Sequence, residues 1–130
     1  MATLRVRSVG KGFTLIELMV VLSILALLLS LAAPRYFHSV SKAREATLRQ
    51  DLDTMRDAID KYHGDMGRYP ASLDELVSHK YLRIIPLDPI TGDASSWVVI
   101  GSDDASDTGI ADVKSAAPGN SADGTPYADW

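Results

Sequence analysis

From Phe13 to Ala33 the chain is apolar at almost every position, interrupted only by Thr14, Glu17, Ser23 and Ser30. A helix needs about 20 such residues to cross the hydrocarbon core of a bilayer. Glu17 lies one helical turn inside the run, where a charge costs up to roughly 2.5–3.5 kcal/mol, less near an end than at the centre. Something must therefore offset it. After Pro34 the pattern changes: Leu48, Leu52, Met55, Ile59 and Tyr62 recur at alternating four- and three-residue steps and make one apolar stripe. Arg49, Asp51, Asp53, Arg56, Asp57, Asp60 and Lys61 lie between them and read as a solvated, mixed-charge face. The stripe is read as the face on which a small head packs, in preference to a groove for a partner. Pro34 is expected to kink the helix without ending it, and the helix to stop near Gly64 or Gly67. Phe13 to Gly64 would span roughly 78 Å at 1.5 Å per residue, more than a small head can bury, so half should project.

Beyond the helix the signals are shorter. Gly64–Pro70 reads as a loop. Ser72-Leu73-Asp74-Glu75 is a capping box, predicting a short helix through Val77 or Ser78 with Leu73, Leu76 and Val77 inward. Tyr81–Ile85 leads into a stiff connector, Pro86–Gly92. Trp97–Ile100 reads as a strand, paired with Ile110–Lys114 across the acidic loop Ser102–Thr108. The tail Ala116–Trp130 has the composition of a disordered segment but carries Tyr127 and Trp130, large anchors that need a surface. The fold class is α+β: a long N-terminal helix and a small head of short helix and antiparallel strands. Residues 1–12 form a leader, 13–34 the apolar half of the helix, 35–64 its amphipathic half and 65–130 the head.

Charge and composition narrow the function. The net charge of −4 hides an asymmetry, because Met1–Gly12 carries Arg5, Arg7 and Lys11 and no acid. Without it, ten basic residues face 17 acidic ones, and from Asp88 to Trp130 eight Asp accompany one Lys. No nucleic acid is expected as a partner. The basic leader and acidic remainder place the N-terminus in the cytoplasm and the head outside it. The chain has no cysteine, so no disulfide can hold its loops. His38, His63 and His79 make no metal-ligand spacing, and neither a phosphate loop nor a nucleophile elbow is present. Asp103, Asp104 and Asp107 lack the spacing of an EF-hand and read as a solvated hairpin tip. No catalytic constellation emerges, so the chain is not expected to be an enzyme.

Leu31-Ala32-Ala33-Pro34 offers a small-residue end of the kind an ordinary secretory signal uses. Gly12-Phe13-Thr14-Leu15-Ile16-Glu17 points elsewhere. It resembles the class III signal of type IV pilins and type II secretion pseudopilins, and Pro34 falls where that family has its helix-kinking proline. The resemblance implies cleavage by a prepilin peptidase between Gly12 and Phe13, N-methylation of Phe13, and roles in assembly for Phe13, Glu17 and Pro34. Further on, Pro86-x-Asp88-Pro89, then Asp112-Val113-x-Ser115-x-x-Pro118-x-x-x-x-Asp123 and Trp130, resemble the G-type major pseudopilins. That likeness implies one calcium in the last loop, held by the Ala116 carbonyl and the Asp123 carboxylate. Gly119-Asn120 stand where the family often has an acid, so Asn120 is the next oxygen donor, with Asp112 and Asp129 as further candidates.

The resemblance implies a structural subunit of a periplasmic pseudopilus, a homo-oligomeric helical filament serving type II protein secretion. Its partners would be the peptidase, an inner-membrane assembly platform and minor pseudopilins, with energy from a cytoplasmic ATPase. Before assembly the chain would span the bacterial inner membrane once, head in the periplasm. A major or minor pilin of a surface type IV pilus (adhesion, motility or DNA uptake) remains open, and more remotely a membrane-tethered periplasmic enzyme.

Overall fold

The computed structural model describes residues 2–4 and 10–130; Arg5 and Arg7 of the leader lie outside the described residues. Helix α1, Leu15–Met66, runs 52 residues without a break, and Pro34 lies inside it. It stops at Gly67, not Gly64: Gly67 takes a left-handed φ of 69° and donates its amide to the His63 carbonyl at 2.9 Å. Glycine reaches that conformation without a Cβ clash, which is why it ends helices. Two compact units divide the chain, Met1–His38 and Ser39–Trp130.

In the first unit every apolar side chain of α1 is exposed, from Leu15 at 78% to Leu31 at 67%. The second unit has a core. Leu48, Leu52, Met55, Ala58, Ile59 and Tyr62 of α1 are buried in it, the stripe that the periodicity predicts with Ala58 added. Leu73 and Leu76 of α2, Leu73–Ser78, cover it from one side, with Val77 half-buried against them. Leu82, Trp97, Ile110, Val113, Ala117 and Tyr127 complete it.

The capping box on α2 differs from its expected form. Ser72 Oγ accepts the Glu75 amide at 3.3 Å, but Glu75 reaches back one residue further, accepting the Ala71 amide at 2.6 Å. Its other oxygen accepts the Tyr62 hydroxyl at 2.5 Å and Arg68 Nη2 at 2.7 Å. One carboxylate thus joins α1, the loop after it and the start of α2. The chain leaves α2 through Lys80 in a left-handed conformation, φ 64°, so that the Tyr81 amide can close on the Leu76 carbonyl at 2.8 Å.

Strands β1, Val98–Gly101, and β2, Ile110–Lys114, pair antiparallel with Val99 opposite Val113 and an irregularity at Ile100/Gly101. The strand starts one residue later than predicted. All four residues of β1 are exposed; the inward residue is Trp97 just before it, whose indole N–H donates to the Pro86 carbonyl at 2.8 Å. The hairpin loop is not simply a solvated tip. Asp103 and Asp104 are exposed, but Asp107 is half-buried, accepting the Tyr69 amide at 2.8 Å and the Gly109 amide at 3.1 Å. A Cβ on Gly109 would lie 2.5 Å from Tyr69 backbone and side-chain atoms, so only glycine fits this seam.

Arg68, then Tyr62 and the Ala71 amide, lower the Glu75 pKa from 4.5 to about 2. A depressed carboxylate pKa adds stability that is complete above the unfolded value and lost as pH falls through the folded one. Melting temperature should therefore drop from about pH 5 down to pH 2, and Glu75→Gln should flatten that drop in a thermal scan across the same range. An equal slope in both proteins would refute the role of Glu75.

Candidate functional site

Of the residues expected to act in processing and assembly, Gly12, Phe13 and Glu17 sit together before and in the first turn of α1, while Pro34 lies well inside the helix. Gly12 and Phe13 lie in an exposed, non-helical stretch, Phe13 at 84% exposure, and a Cβ on Gly12 would meet nothing within 4 Å. The Gly12–Phe13 bond is thus exposed. Thr14 and Glu17 form a capping box that the motif reading did not single out. Thr14 Oγ1 accepts the Glu17 amide at 3.2 Å, and Glu17 Oε2 accepts the Thr14 amide at 3.5 Å. Threonine followed three residues later by Glu before an apolar run is its sequence signal. The carboxylate also lies at the positive end of the helix dipole, which favours an anion. Among the described residues Glu17 has no ion-pair partner. An 18-residue window of α1 has a mean hydropathy of 2.7 and none of it is buried.

The tail is ordered, and α1 holds it. Glu45 Oε1 accepts the Ala122 amide and the Tyr127 hydroxyl, both at 2.9 Å. The Arg49 guanidinium lies 4.0 Å above the Trp130 ring, and 3.9 Å from Asp123 Oδ2. Arg56 donates to Asp112 Oδ1 at 2.8 Å, to the Val113 carbonyl at 3.0 Å and to the Trp130 main-chain oxygen at 2.6 Å. Arg56 is half-buried and so departs from the solvated face, whereas Arg49 stays exposed; with Glu45 the two form a second, polar stripe beside the apolar one, at helical spacing. Tyr127 and Trp130 meet edge to face at 5.2 Å and close the contact.

The sequence places Asp88 in a turn-rich connector and in the Pro86-x-Asp88-Pro89 motif, and neither signals its burial. It is fully buried, accepts the Ile90 and Thr91 amides at 2.8 and 3.2 Å, and takes the Ser115 hydroxyl at 2.5 Å. Ser115 Oγ in turn accepts the Ala117 amide at 3.0 Å. Asp88 so ties the connector to the root of the tail, and helps burial push the Asp51 pKa up.

The candidate calcium ligands fall on both sides of a turn. Ala116, Asn120, Asp123 and Asp129 are exposed. Asp123 closes its own loop, with Oδ1 accepting the Ser121 hydroxyl and the Thr125 amide. Those bonds, the Ser121 hydroxyl first, hold its pKa down at about 2. An ionised carboxylate, an amide oxygen and a main-chain carbonyl make a hard donor set suited to calcium. Asp112 serves otherwise, its Oδ1 committed to Arg56 and the Val113 amide. Among the described residues no three His, Asp or Glu side chains converge as a metal cluster, so a site would depend on carbonyl and amide oxygens.

Asp88→Ala should cost at least about 2 kcal/mol, since it strands buried donors. Asp103→Ala should stay within about 0.5 kcal/mol, as surface changes do. Urea unfolding of the full chain in detergent reads both. Equal stability of the two variants would remove Asp88 from this role.

Residues 7–33 match the family described as the prokaryotic N-terminal methylation motif. The chain is similar to the type II secretion system core protein G of Klebsiella michiganensis, at 32% identity over 103 residues, covering 67% of this chain and 72% of that protein. Its counterpart from Klebsiella pneumoniae is 36% identical over 95 residues, 61% of this chain and 68% of that one. The fimbrial protein EcpC of Eikenella corrodens is 35% identical over 65 residues, 50% of this chain and 42% of its own length. No solved structure matches.

Proposed function

The chain belongs to the family of the type II secretion system core protein G, and from that premise we propose that it is the structural subunit of a periplasmic pseudopilus that drives type II secretion. The observation that carries this reading is the apolar half of α1, uncovered on all sides and headed by a lone carboxylate. Before assembly the bilayer covers it: the chain is a single-pass inner-membrane protein, N-terminus cytoplasmic and head periplasmic. In the filament, copies of the same segment cover one another. A prepilin peptidase cuts between Gly12 and Phe13, and the new amino group of Phe13 is methylated. An assembly platform, minor pseudopilins and a cytoplasmic ATPase add the subunits.

Glu17 then pairs with the amino terminus of a neighbour's Phe13. Two opposite charges buried together cost far less than either buried alone, and their pairing sets axial register. The Thr14–Glu17 capping box supports this role, because it holds the carboxylate at the helix end from which Phe13 emerges. Pro34 leaves the Ser30 carbonyl without its helical donor and allows the segment to bend as it packs. The tail would bind one calcium through the Ala116 carbonyl, Asn120 and Asp123, with Asp129 in reserve; bound, it fixes the loop. A second reading is favoured by the likeness to the fimbrial protein EcpC: a major or minor pilin of a surface pilus. Filaments displayed outside the cell, with secretion intact in a deletion strain, would select it.

Peptide mass mapping of the processed protein should find Phe13 first and methylated, and Gly12→Val should retain Met1–Gly12. Any other N-terminal residue refutes the cleavage assignment.

Glu17→Ala should insert into the membrane as before, since removing a charge favours the bilayer. Filament yield at matched expression should collapse, because an unpaired amine buried in an apolar bundle costs roughly 3–5 kcal/mol. A normal yield would eliminate the pairing.

A ligand bound only by the folded form stabilises it by about 2.7 kcal/mol at a hundredfold excess over its dissociation constant. The chain should melt higher in calcium than in chelator, and Asp123→Ala should erase the difference. Indifference to both would overturn the calcium site and leave the tail held by Glu45, Arg49, Arg56 and the Asp88–Ser115 tie.

A further inference from the structure

Four consecutive residues, Arg35, Tyr36, Phe37 and His38, follow the apolar run directly after Pro34. All four are exposed, Tyr36 at 66% and Phe37 at 67%, and the helix passes through them unbroken. Tyr36 and Phe37 meet edge to face with their rings 5.8 Å apart. Successive helix residues are turned by about 100°, so these four encircle the axis in a little over one turn. A helix that docks on protein does so with a stripe, at i, i+3, i+4 and i+7. A ring of exposed aromatic and basic groups has no such side. It suits surroundings that are the same at every azimuth and change only along the axis, as a membrane interface does.

The chemistry and spacing agree. Tyrosine concentrates at the headgroup level, its ring toward the hydrocarbon and its hydroxyl toward water, and Phe37 packs beside Tyr36 as a purely apolar ring. A guanidinium forks onto phosphate oxygens. Leu15 to Ala33 spans about 28 Å as a helix, close to the roughly 30 Å thickness of the hydrocarbon core. From Leu18 to Arg44 the sequence holds Arg35, Lys42 and Arg44 and no acid, a balance suited to phosphates.

We propose that Arg35–His38 is an interfacial collar that grips phospholipid headgroups on the periplasmic face and fixes the depth of α1 before assembly. This rests on the reading of the unassembled chain as a membrane protein. Its consequence reaches the other end of the span. Eighteen residues, about 27 Å, separate Glu17 from Arg35. Pinning the collar at one headgroup layer holds Glu17, Phe13 and the Gly12–Phe13 bond near the other, where a cytoplasmic peptidase can reach them.

The absence of cysteine permits a clean test with the full chain in phosphatidylethanolamine–phosphatidylglycerol vesicles. Ala32→Cys is the reporter, Ser41→Cys the exposed control, and a membrane-impermeant maleimide the probe. With the collar intact, Ala32→Cys should react at least about tenfold more slowly than Ser41→Cys. Adding Tyr36→Ser and Phe37→Ser should accelerate Ala32→Cys about three- to tenfold, with the chain still resisting carbonate extraction. An unchanged Ala32→Cys rate overturns the collar. So does loss of filaments at unchanged depth, which would make the ring a protein contact. Release of the parent chain by carbonate would instead overturn the membrane reading, and the collar with it.

Discussion

Everything in this protein depends on an apolar helical segment that its own chain leaves uncovered. Each large side chain from Leu15 to Leu31 forgoes about 1.5–3 kcal/mol of burial while in water, and more than a dozen of them are exposed. A small domain has about 5–15 kcal/mol of stability in all, so no rearrangement of the head can offset that deficit. The segment must reside in lipid or among copies of itself. Both environments are apolar, and passage between them leaves the hydrophobic term nearly unchanged. What differs is the fate of charge. In the single chain, Glu17 is held by the Thr14 amide and the helix end; in the proposed filament, a neighbour's amine would become available.

The second unit solves a different problem, that of keeping about ninety residues ordered without a disulfide. Helix α1 does this with two adjoining stripes. The apolar one carries the core, and the polar one, Glu45, Arg49 and Arg56, takes the tail at three separate points. Asp88 adds a buried tie from the connector to Ser115. These anchors hold a segment whose composition alone would leave it disordered. Calcium, in the proposed site, would reinforce the turn that Asp123 already closes.

What was legible in the sequence was local. The stripe from Leu48 to Tyr62 follows from helical periodicity, and the Ser72 cap from three-residue spacing. The hairpin follows from two β-branched runs separated by a polar loop. The rest depended on partners far along the chain. Arg56 and Trp130 are 74 residues apart, and no window containing Arg56 distinguishes a guanidinium with three bonds from one in water. Asp88 reads as a turn residue because its local bonds, to the Ile90 and Thr91 amides, are those of an Asx turn; its burial comes from Ser115. The exposure of β1 was hidden for the opposite reason. Val98, Val99 and Ile100 have strong strand propensity, and propensity does not say which face is covered. At the N-terminal site the motif named Gly12, Phe13 and Glu17, while Thr14 was passed over although its spacing to Glu17 is that of a capping box.

The most direct test of the account is the structure of the filament itself, by electron cryomicroscopy of fibres sheared from cells that overproduce this chain. Residues 15–33 of every subunit should pack against copies of themselves along the filament axis. Phe13 should be the first residue, its amino group within hydrogen-bond distance of Glu17 from an adjacent subunit. Fibres held together by the heads, with those apolar segments outside the contacts, would contradict it.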